Sequence, residues 1–312
     1  MKTDAVTIAD LRRSVIAVPP LARTADGKVS TAENCKIVEW LAVGGVSSFL
    51  YGGNANFYHL GLAEYADVLD LIAEIAPDDG WMIPSVGPDF GKALDQIAIL
   101  KPYPFPTAMA LPMAGPTKPA GVAIGLRRLA DAYEKPVVAY MRAEGYLAPR
   151  DIASLIADGV VCSVKYAVER KHPEEDRYLS AVIDAAGTDR LVSGIGERPA
   201  IVHWTKFGVH AFTSGSVSIA PHLSTAIHAA LRAGDIATAE RLRAIFLPFE
   251  DQRDAHSPIV VLHEGVREAG IAATGPIQPY LANLDEQTLR PVGEAARRLI
   301  HENRAFAERM VA

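Results

Sequence analysis

Cysteine is almost missing from this chain. Cys35 and Cys162 are the only two in 312 residues. That count excludes a disulfide framework and fits a reducing compartment. Neither has a Cys or His neighbour at metal-ligand spacing. His59, His203, His210 and His222 are scattered, so no metal is expected. Long apolar runs are also lacking, which argues against a membrane span. Met1-Lys2-Thr3-Asp4 leads into no apolar signal segment, and the expected location is the cytoplasm. A net charge of -6, with no basic stripe and no aromatic–basic interleaving, argues against a nucleic-acid partner. The first strand-to-helix turn carries no GxGxxG, which weighs against a dinucleotide cofactor. No cofactor of any kind is expected.

What remains is an ordinary globular composition, 49% hydrophobic and 22% charged, long enough for a large core. Short β-like runs alternate with helix-like segments roughly eight times. Ser14 to Val18 ends at Pro19-Pro20. Val46 to Tyr51 runs into Gly52-Gly53-Asn54. Later strands are expected over 107–111, 136–141, 159–167, 190–193 and 209–213. The alternation predicts an α/β protein, a (β/α)8 TIM barrel, although an open doubly wound sheet permits the same pattern. After about Gly234 the β signal fades, and Ile236 to Phe246, Pro258 to Ala269 and Asp285 to Met310 read as helices. The expected organisation is a barrel catalytic domain over 1–233 and a C-terminal helical extension over 234–312.

The stretch around Lys165 organises this reading. Gly159-Val160-Val161-Cys162-Ser163-Val164-Lys165-Tyr166-Ala167 is a β-branched apolar run with one lysine inside it. An interior ammonium is costly without a partner and tends to lose its proton. The neutral amine is the nucleophile that forms Schiff bases with carbonyl substrates. Alternatively, Lys165 sits at the strand end and points to water. Barrel sites lie at the C-terminal ends of strands. Gly52, Gly53, Asn54, Tyr140, Arg142, Lys165, Gly194 and Ser214 all fall there. Gly52-Gly53-Asn54 reads as a cradle for a carboxylate or as a plain tight turn. Tyr140 reads as a proton relay or as a core tyrosine. Glu197 and Arg198 read as substrate contacts or as a solvated helix start.

Several of these segments resemble the dihydrodipicolinate synthase / N-acetylneuraminate lyase family. EWLAVGGVSSFLYGGNANFYHLGLAE, from Glu39 to Glu64, is similar to a family segment of the form EWLIEGGVDGLVVLGTTGEFYSLTEEE. Lys165 in VVCSVKYA stands at the Schiff-base lysine of a VVGIKEA-like strand. Tyr140 in PVVAYMR stands at the tyrosine of a PVVLYNVP-like strand. Leu191-Val192-Ser193-Gly194 resembles an LLSG strand end, and Ala220-Pro221 the start of the family's eighth helix.

The resemblance implies a class I lyase acting on pyruvate or a pyruvate-like 2-oxo acid, with Lys165 and Tyr140 catalytic. Gly52, Gly53, Asn54, Arg142, Gly194 and Ser214, by their strand-end positions, are expected to bind substrate, and the resemblance implies a homo-oligomer, dimer or tetramer. The departures imply a divergent member. Gly53-Asn54 replaces a Thr-Thr pair, Met113-Ala114 stands where the synthases carry a tyrosine pair, and a PGRTG-like segment after Tyr140 is missing. True dihydrodipicolinate synthase activity and a non-catalytic 2-oxo-acid-binding relative are the alternatives.

Overall fold

The protein is described by a computed structural model covering residues 1–311. Its strands are β1 (Ile16–Ala17), β2 (Ser48–Leu50), β3 (Trp81–Ile83, resumed beyond Pro84 as Ser85–Val86), β4 (Ala108–Ala110), β5 (Val137–Met141), β6 (Val161–Tyr166), β7 (Leu191–Ser193) and β8 (Thr213–Ser214). Every pairing between neighbours is parallel. Pro84, which has no N–H to give a ladder, divides the sheet into two arcs inside β3. The arcs meet again where Ser193 bridges Phe212 and β8 pairs with β1. The result is the closed (β/α)8 barrel that the alternation predicts.

The last strand is shorter than its sequence suggests. Of 209–213, only Thr213 joins regular strand, and Ala211 and Phe212 contribute single carbonyls to Ser193 and Ile16. The barrel helices are α2 (Thr31–Val43), α3 (Leu62–Glu74), α4 (Phe90–Leu100), α5 (Pro119–Tyr133), α6 (Pro149–Ala157), α7 (Arg177–Ala186), α8 (Glu197–Phe207) and α9 (Pro221–Ala233), preceded by a short α1 (Ile8–Arg12). Their starts follow local chemistry. Ser30, Asp89 and Asp176 cap α2, α4 and α7 by accepting from the third backbone N–H beyond them. Pro119, Pro149 and Pro221 occupy first-turn positions, where no N–H is missed.

Three further helices complete the chain, α10 (Ile236–Ala255), α11 (Pro258–Glu268) and α12 (Glu286–Val311). The sequence reading ends α10 at Phe246, but the helix continues through Pro248 to Ala255. A proline inside a helix loses one hydrogen bond. Here Phe246, Phe249, Glu250 and Arg253 are all buried, and that face holds the second half in place. α10–α12 share one apolar core with the barrel, through Phe246, Phe249, Val261, Leu262, Val292 and Leu299. No helix among the described residues is long and apolar enough to cross a membrane.

The helical ring closes where the end of α2 meets the start of α9. A Cβ on Gly44 would stand 2.2 Å from Pro221 Cβ and 3.0 Å from its backbone carbon. Neither neighbour can rotate away. Gly44→Ala is therefore expected to lower stability by about 1–3 kcal/mol, the usual cost of forcing atoms into a packed interior. Denaturant unfolding checks this, and an unchanged midpoint would mean that the closure is loose.

Candidate active site

β5 and β6 place the central pair of side chains. Val137 pairs with Val161, but Val138 pairs with Ser163, so β6 carries one extra residue, Cys162. The shift sets Tyr140 opposite Lys165 and Met141 opposite Tyr166. Tyr166 lies on the outer face, where its hydroxyl donates to Asp176 Oδ2 at 2.6 Å behind α7. Lys165, one residue earlier, faces inward.

Lys165 is 5% exposed. Its Nζ donates to the Gly194 carbonyl at 3.1 Å and stands 3.8 Å from the centre of the Tyr140 ring. Burial, together with the guanidinium groups of Arg142 and Arg253, lowers its pKa from 10.5 to about 7. That change corresponds to roughly 5 kcal/mol against the ammonium form. A ring face attracts a cation by only about 0.5–2 kcal/mol, so the neutral amine is accessible near pH 7. The alternative of a solvated strand-end lysine is thus not what the fold builds. Burial pushes the Tyr140 hydroxyl upward, partly offset by Arg142 and Arg253.

The amine opens into a cavity of about 220 Å³. Gly53, Asn54, Tyr140, Arg142 and Gly194 line it, and so do Tyr58, Glu250, Arg253 and Asp254. A second cavity of about 380 Å³ shares Arg142, Glu169, Ile195, Asp254 and Pro258 and extends over Arg170 and His256. A larger one, about 450 Å³, lies beside α4 and α5; its walls are mostly apolar and include neither Lys165 nor Tyr140.

Two residues expected to meet substrate do not line the cavity. Gly52 is packed from behind: a Cβ there would stand 2.5 Å from Met109 Cε and 3.1 Å from Ser85 Oγ. Its glycine serves close packing under the loop. Ser214 is 1% exposed and turned away, donating to Glu197 Oε2 at 2.9 Å and accepting from the Val217 N–H. Glu197 fits neither reading of the sequence. It is fully buried, not solvated, and its carboxylate accepts from Ser214 and from Ser224 Oγ at 2.6 Å. Arg198 lies toward the surface, paired with Asp251 at 2.6 Å and Asp254 at 3.2 Å.

The sequence reading misses Arg253 and Glu250, both from α10. Arg253 Nη1 bonds Glu250 Oε1 at 3.0 Å and Oε2 at 3.3 Å, and Nε reaches the Pro258 carbonyl at 3.4 Å. Its Nη2 has no hydrogen-bond partner among the described residues. A Cβ on Gly215 would lie 2.9 Å from that Nη2 and 2.6 Å from Asn54 Nδ2. The two donors therefore converge over a bare stretch of backbone, with Asn54 Nδ2 also donating to the Val18 carbonyl at 2.8 Å. The signal for α10 was present: Phe246, Phe249, Glu250 and Arg253 follow helical spacing, with two charges on an apolar face.

This chain has recognisable relatives. Over 245 residues the chain is 24% identical to the protein named "Probable 5-dehydro-4-deoxyglucarate dehydratase 2" of Streptomyces coelicolor, covering 77% of this chain and 75% of that one. The crystal structure of dihydrodipicolinate synthase from Bacillus clausii superposes with a TM-score of 0.82 at 20% identity, over 93% of this chain and 99% of that one. YagE of E. coli K12, a prophage protein of the dihydrodipicolinic acid synthase family solved in complex with pyruvate, superposes with a TM-score of 0.79 at 16% identity, over 92% and 98%. Residues 12–298 match the Dihydrodipicolinate synthetase family, and the chain belongs to it.

Proposed function

We propose that this protein is a Schiff-base-forming lyase that removes water from a hydroxylated 2-oxo acid longer than pyruvate. The observation that carries the reading is the Lys165 amine: buried, tethered to the Gly194 carbonyl, 3.8 Å from the Tyr140 ring and depressed to about 7. A neutral amine attacks the keto carbon. The hydroxyl of the resulting carbinolamine takes the Tyr140 proton and leaves as water. The iminium then withdraws electrons from the adjacent C3–H bond, and the Tyr140 oxygen receives that proton. The Gly53 backbone, the Asn54 amide and the free Nη2 of Arg253 hold the substrate carboxylate. Arg142, where the two cavities join, faces the distal end of a longer chain.

Dehydration is favoured over condensation on two grounds. The dehydratase from Streptomyces coelicolor is similar over three quarters of the chain. Met113-Ala114 also stands where the synthases, by resemblance, carry their tyrosine pair. A 2-oxo acid with a second carboxylate, as in 5-dehydro-4-deoxyglucarate, matches the two guanidinium groups. On this reading residues 1–233 form the catalytic barrel, and 234–312 form an extension whose α10 supplies one wall of the site. The enzyme needs no cofactor and works as a cytoplasmic homo-oligomer.

Borohydride reduction in the presence of pyruvate should leave an adduct on the peptide carrying Lys165, read by mass spectrometry. Lys165→Ala should abolish the adduct and lower turnover by several orders of magnitude. A trapped adduct elsewhere, or none with any 2-oxo acid, would overturn the proposal and favour a binding protein.

The pH dependence has a definite sign. Because the reactive form is the neutral amine, the trapping rate should climb as pH rises through about 7. Removing a neighbouring positive charge favours the ammonium, so Arg142→Met should move the midpoint up by about half a pH unit to one unit. A midpoint that stays put in the variant would show that burial alone tunes the lysine.

A further inference from the structure

One phenol that lines this cavity has no part in the chemistry above. Tyr58 follows the loop after β2, and the local chain fixes where it points. The Gly53 and Gly52 carbonyls accept from the N–H groups of Asn56 and Phe57 at 2.9 and 3.2 Å. Asn56 between them is left-handed, with φ 55°, a conformation that asparagine tolerates. A single 3-10 turn, Phe57–His59, follows. Phe57 is fully buried and meets Tyr65 edge to face, with ring centres 6.3 Å apart. Lys92 of α4 donates to the Tyr58 carbonyl at 3.0 Å. With its neighbour anchored in the core and its own carbonyl tied to α4, Tyr58 turns into the Lys165 cavity. Its ring packs over Gly53, where a Cβ would stand 3.6 Å from Tyr58 Cε2. Its hydroxyl neighbours the Arg142 guanidinium. Gly53 belongs to the carboxylate end of the substrate and Arg142 to the distal end. A side chain that touches the first and neighbours the second spans the middle, where the leaving hydroxyl of a hydroxylated 2-oxo acid lies.

The other groups that line the cavity are committed elsewhere. Tyr140 handles the C3 proton, and Lys165 carries the iminium. Arg142 and Arg253 hold their protons too tightly to act as acids. Glu250 is paired with Arg253 at 3.0 Å, and Glu169 stands in solvent 4.0 Å from Arg142. Burial raises Asp254, but Arg198 at 3.2 Å draws it back toward the charged form. The aliphatic hydroxyls of Thr213 and Ser257 are weaker acids than a phenol, and Ser257 also caps α11 by accepting from the Val260 N–H.

We propose that Tyr58 is the acid that protonates the hydroxyl leaving C4. This rests on the Schiff-base dehydration reading of the same cavity. Once the C3 proton has gone to Tyr140, the C3 electron pair forms a C3–C4 double bond. The C4–O bond breaks, and its electrons leave on oxygen. That oxygen takes the Tyr58 proton and departs as water. The phenolate left behind faces the Arg142 guanidinium and regains a proton from solvent. No oxidant or reductant is needed. Burial raises the Tyr58 hydroxyl, with Tyr140 acting in the same sense and Arg142 opposing. The phenol therefore starts protonated at neutral pH, the form that an acid requires. Hydroxide is a poor leaving group, so an acid at this position contributes on the order of 100- to 10,000-fold. Tyr58 touches the leaving group and is a catalytic residue.

Tyr58→Phe tests the role, since it removes one hydroxyl and keeps the ring against Gly53. With 5-dehydro-4-deoxyglucarate as probe, kcat should fall at least about 100-fold, while borohydride trapping of pyruvate on Lys165 stays within about threefold. An analogue with fluorine in place of the leaving hydroxyl separates protonation from positioning, because fluoride departs without a full proton. Its elimination, read as fluoride release, should differ between wild type and variant by less than about tenfold. An equal loss with both substrates would mean that Tyr58 only positions the chain, and would overturn the proposal. Dehydration within about threefold of wild type would overturn it as well, and a large loss in Asp254→Asn alongside it would move the role to Asp254. Wild-type enzyme that is trapped by pyruvate but dehydrates no hydroxylated 2-oxo acid would remove the role of Tyr58 and leave the Schiff base standing. Wild-type enzyme that is not trapped at all would remove the Schiff-base reading itself.

Discussion

The register between β5 and β6 is the constraint on which the site depends. Without the extra residue at Cys162, Tyr140 would pair with Val164, whose side chain points to the opposite face. The lysine would then lose the aromatic surface beside it. The irregularity is held from both sides. Cys162 Sγ lies 3.3 Å from Thr107 Oγ1, and the Cys162 carbonyl accepts from Arg190 at 3.1 Å. On the outer face the Tyr166 hydroxyl is bonded to Asp176, the residue that also caps α7. Strand register, helix start and lysine direction are thereby one coupled fact. Burying the amine follows from the fold, and its depressed pKa follows from the burial.

The charges around the amine form a second coupled set. Arg142 and Arg253 both disfavour the ammonium, yet each is itself compensated differently. Arg253 is buried and shares its Nη1 edge with Glu250, leaving Nη2 toward Asn54. Arg142 is about half exposed, and its one ion pair among the described residues is with Glu169 at 4.0 Å, a separation that contributes little in a solvated setting. One guanidinium is fixed in the wall and the other is free to follow a ligand. A rigid donor suits the end of the substrate next to the reacting carbon, where geometry matters most, and a mobile one suits the distal end.

Much of this was legible in the sequence, for a physical reason. Lys165 and Tyr140 stand in strands whose apolar runs are continuous, and a charge in such a run announces itself. Gly53, Asn54, Arg142 and Gly194 follow strand ends and do reach the cavity. Ser214 and Gly52 were misplaced because strand-end position says nothing about direction: the former turns toward Glu197 and the latter is closed off by Met109. Arg253 and Glu250 come from a helix more than 80 residues beyond the lysine, and local pattern carries no information about which distant elements meet. Pro248 added to the difficulty, since a proline reads as a helix end unless buried side chains beyond it hold the helix together.

The loop after β2 shows how one departure requires another. A pair of hydroxyls there, as the family resemblance implies for relatives, gives a neutral cradle. Gly53-Asn54 supplies an amide in their place, and Asn54 spends part of it on the Val18 carbonyl. The remaining donor strength comes from Arg253 only because residue 215 has no side chain, since a Cβ there would press on both Asn54 Nδ2 and Arg253 Nη2. A buried guanidinium in turn needs a carboxylate, which Glu250 provides. Asn54, Gly215, Arg253 and Glu250 therefore form a chain of mutual requirements. Replacing Asn54 with threonine would leave the guanidinium and its carboxylate in place, so it would not by itself restore the neutral cradle.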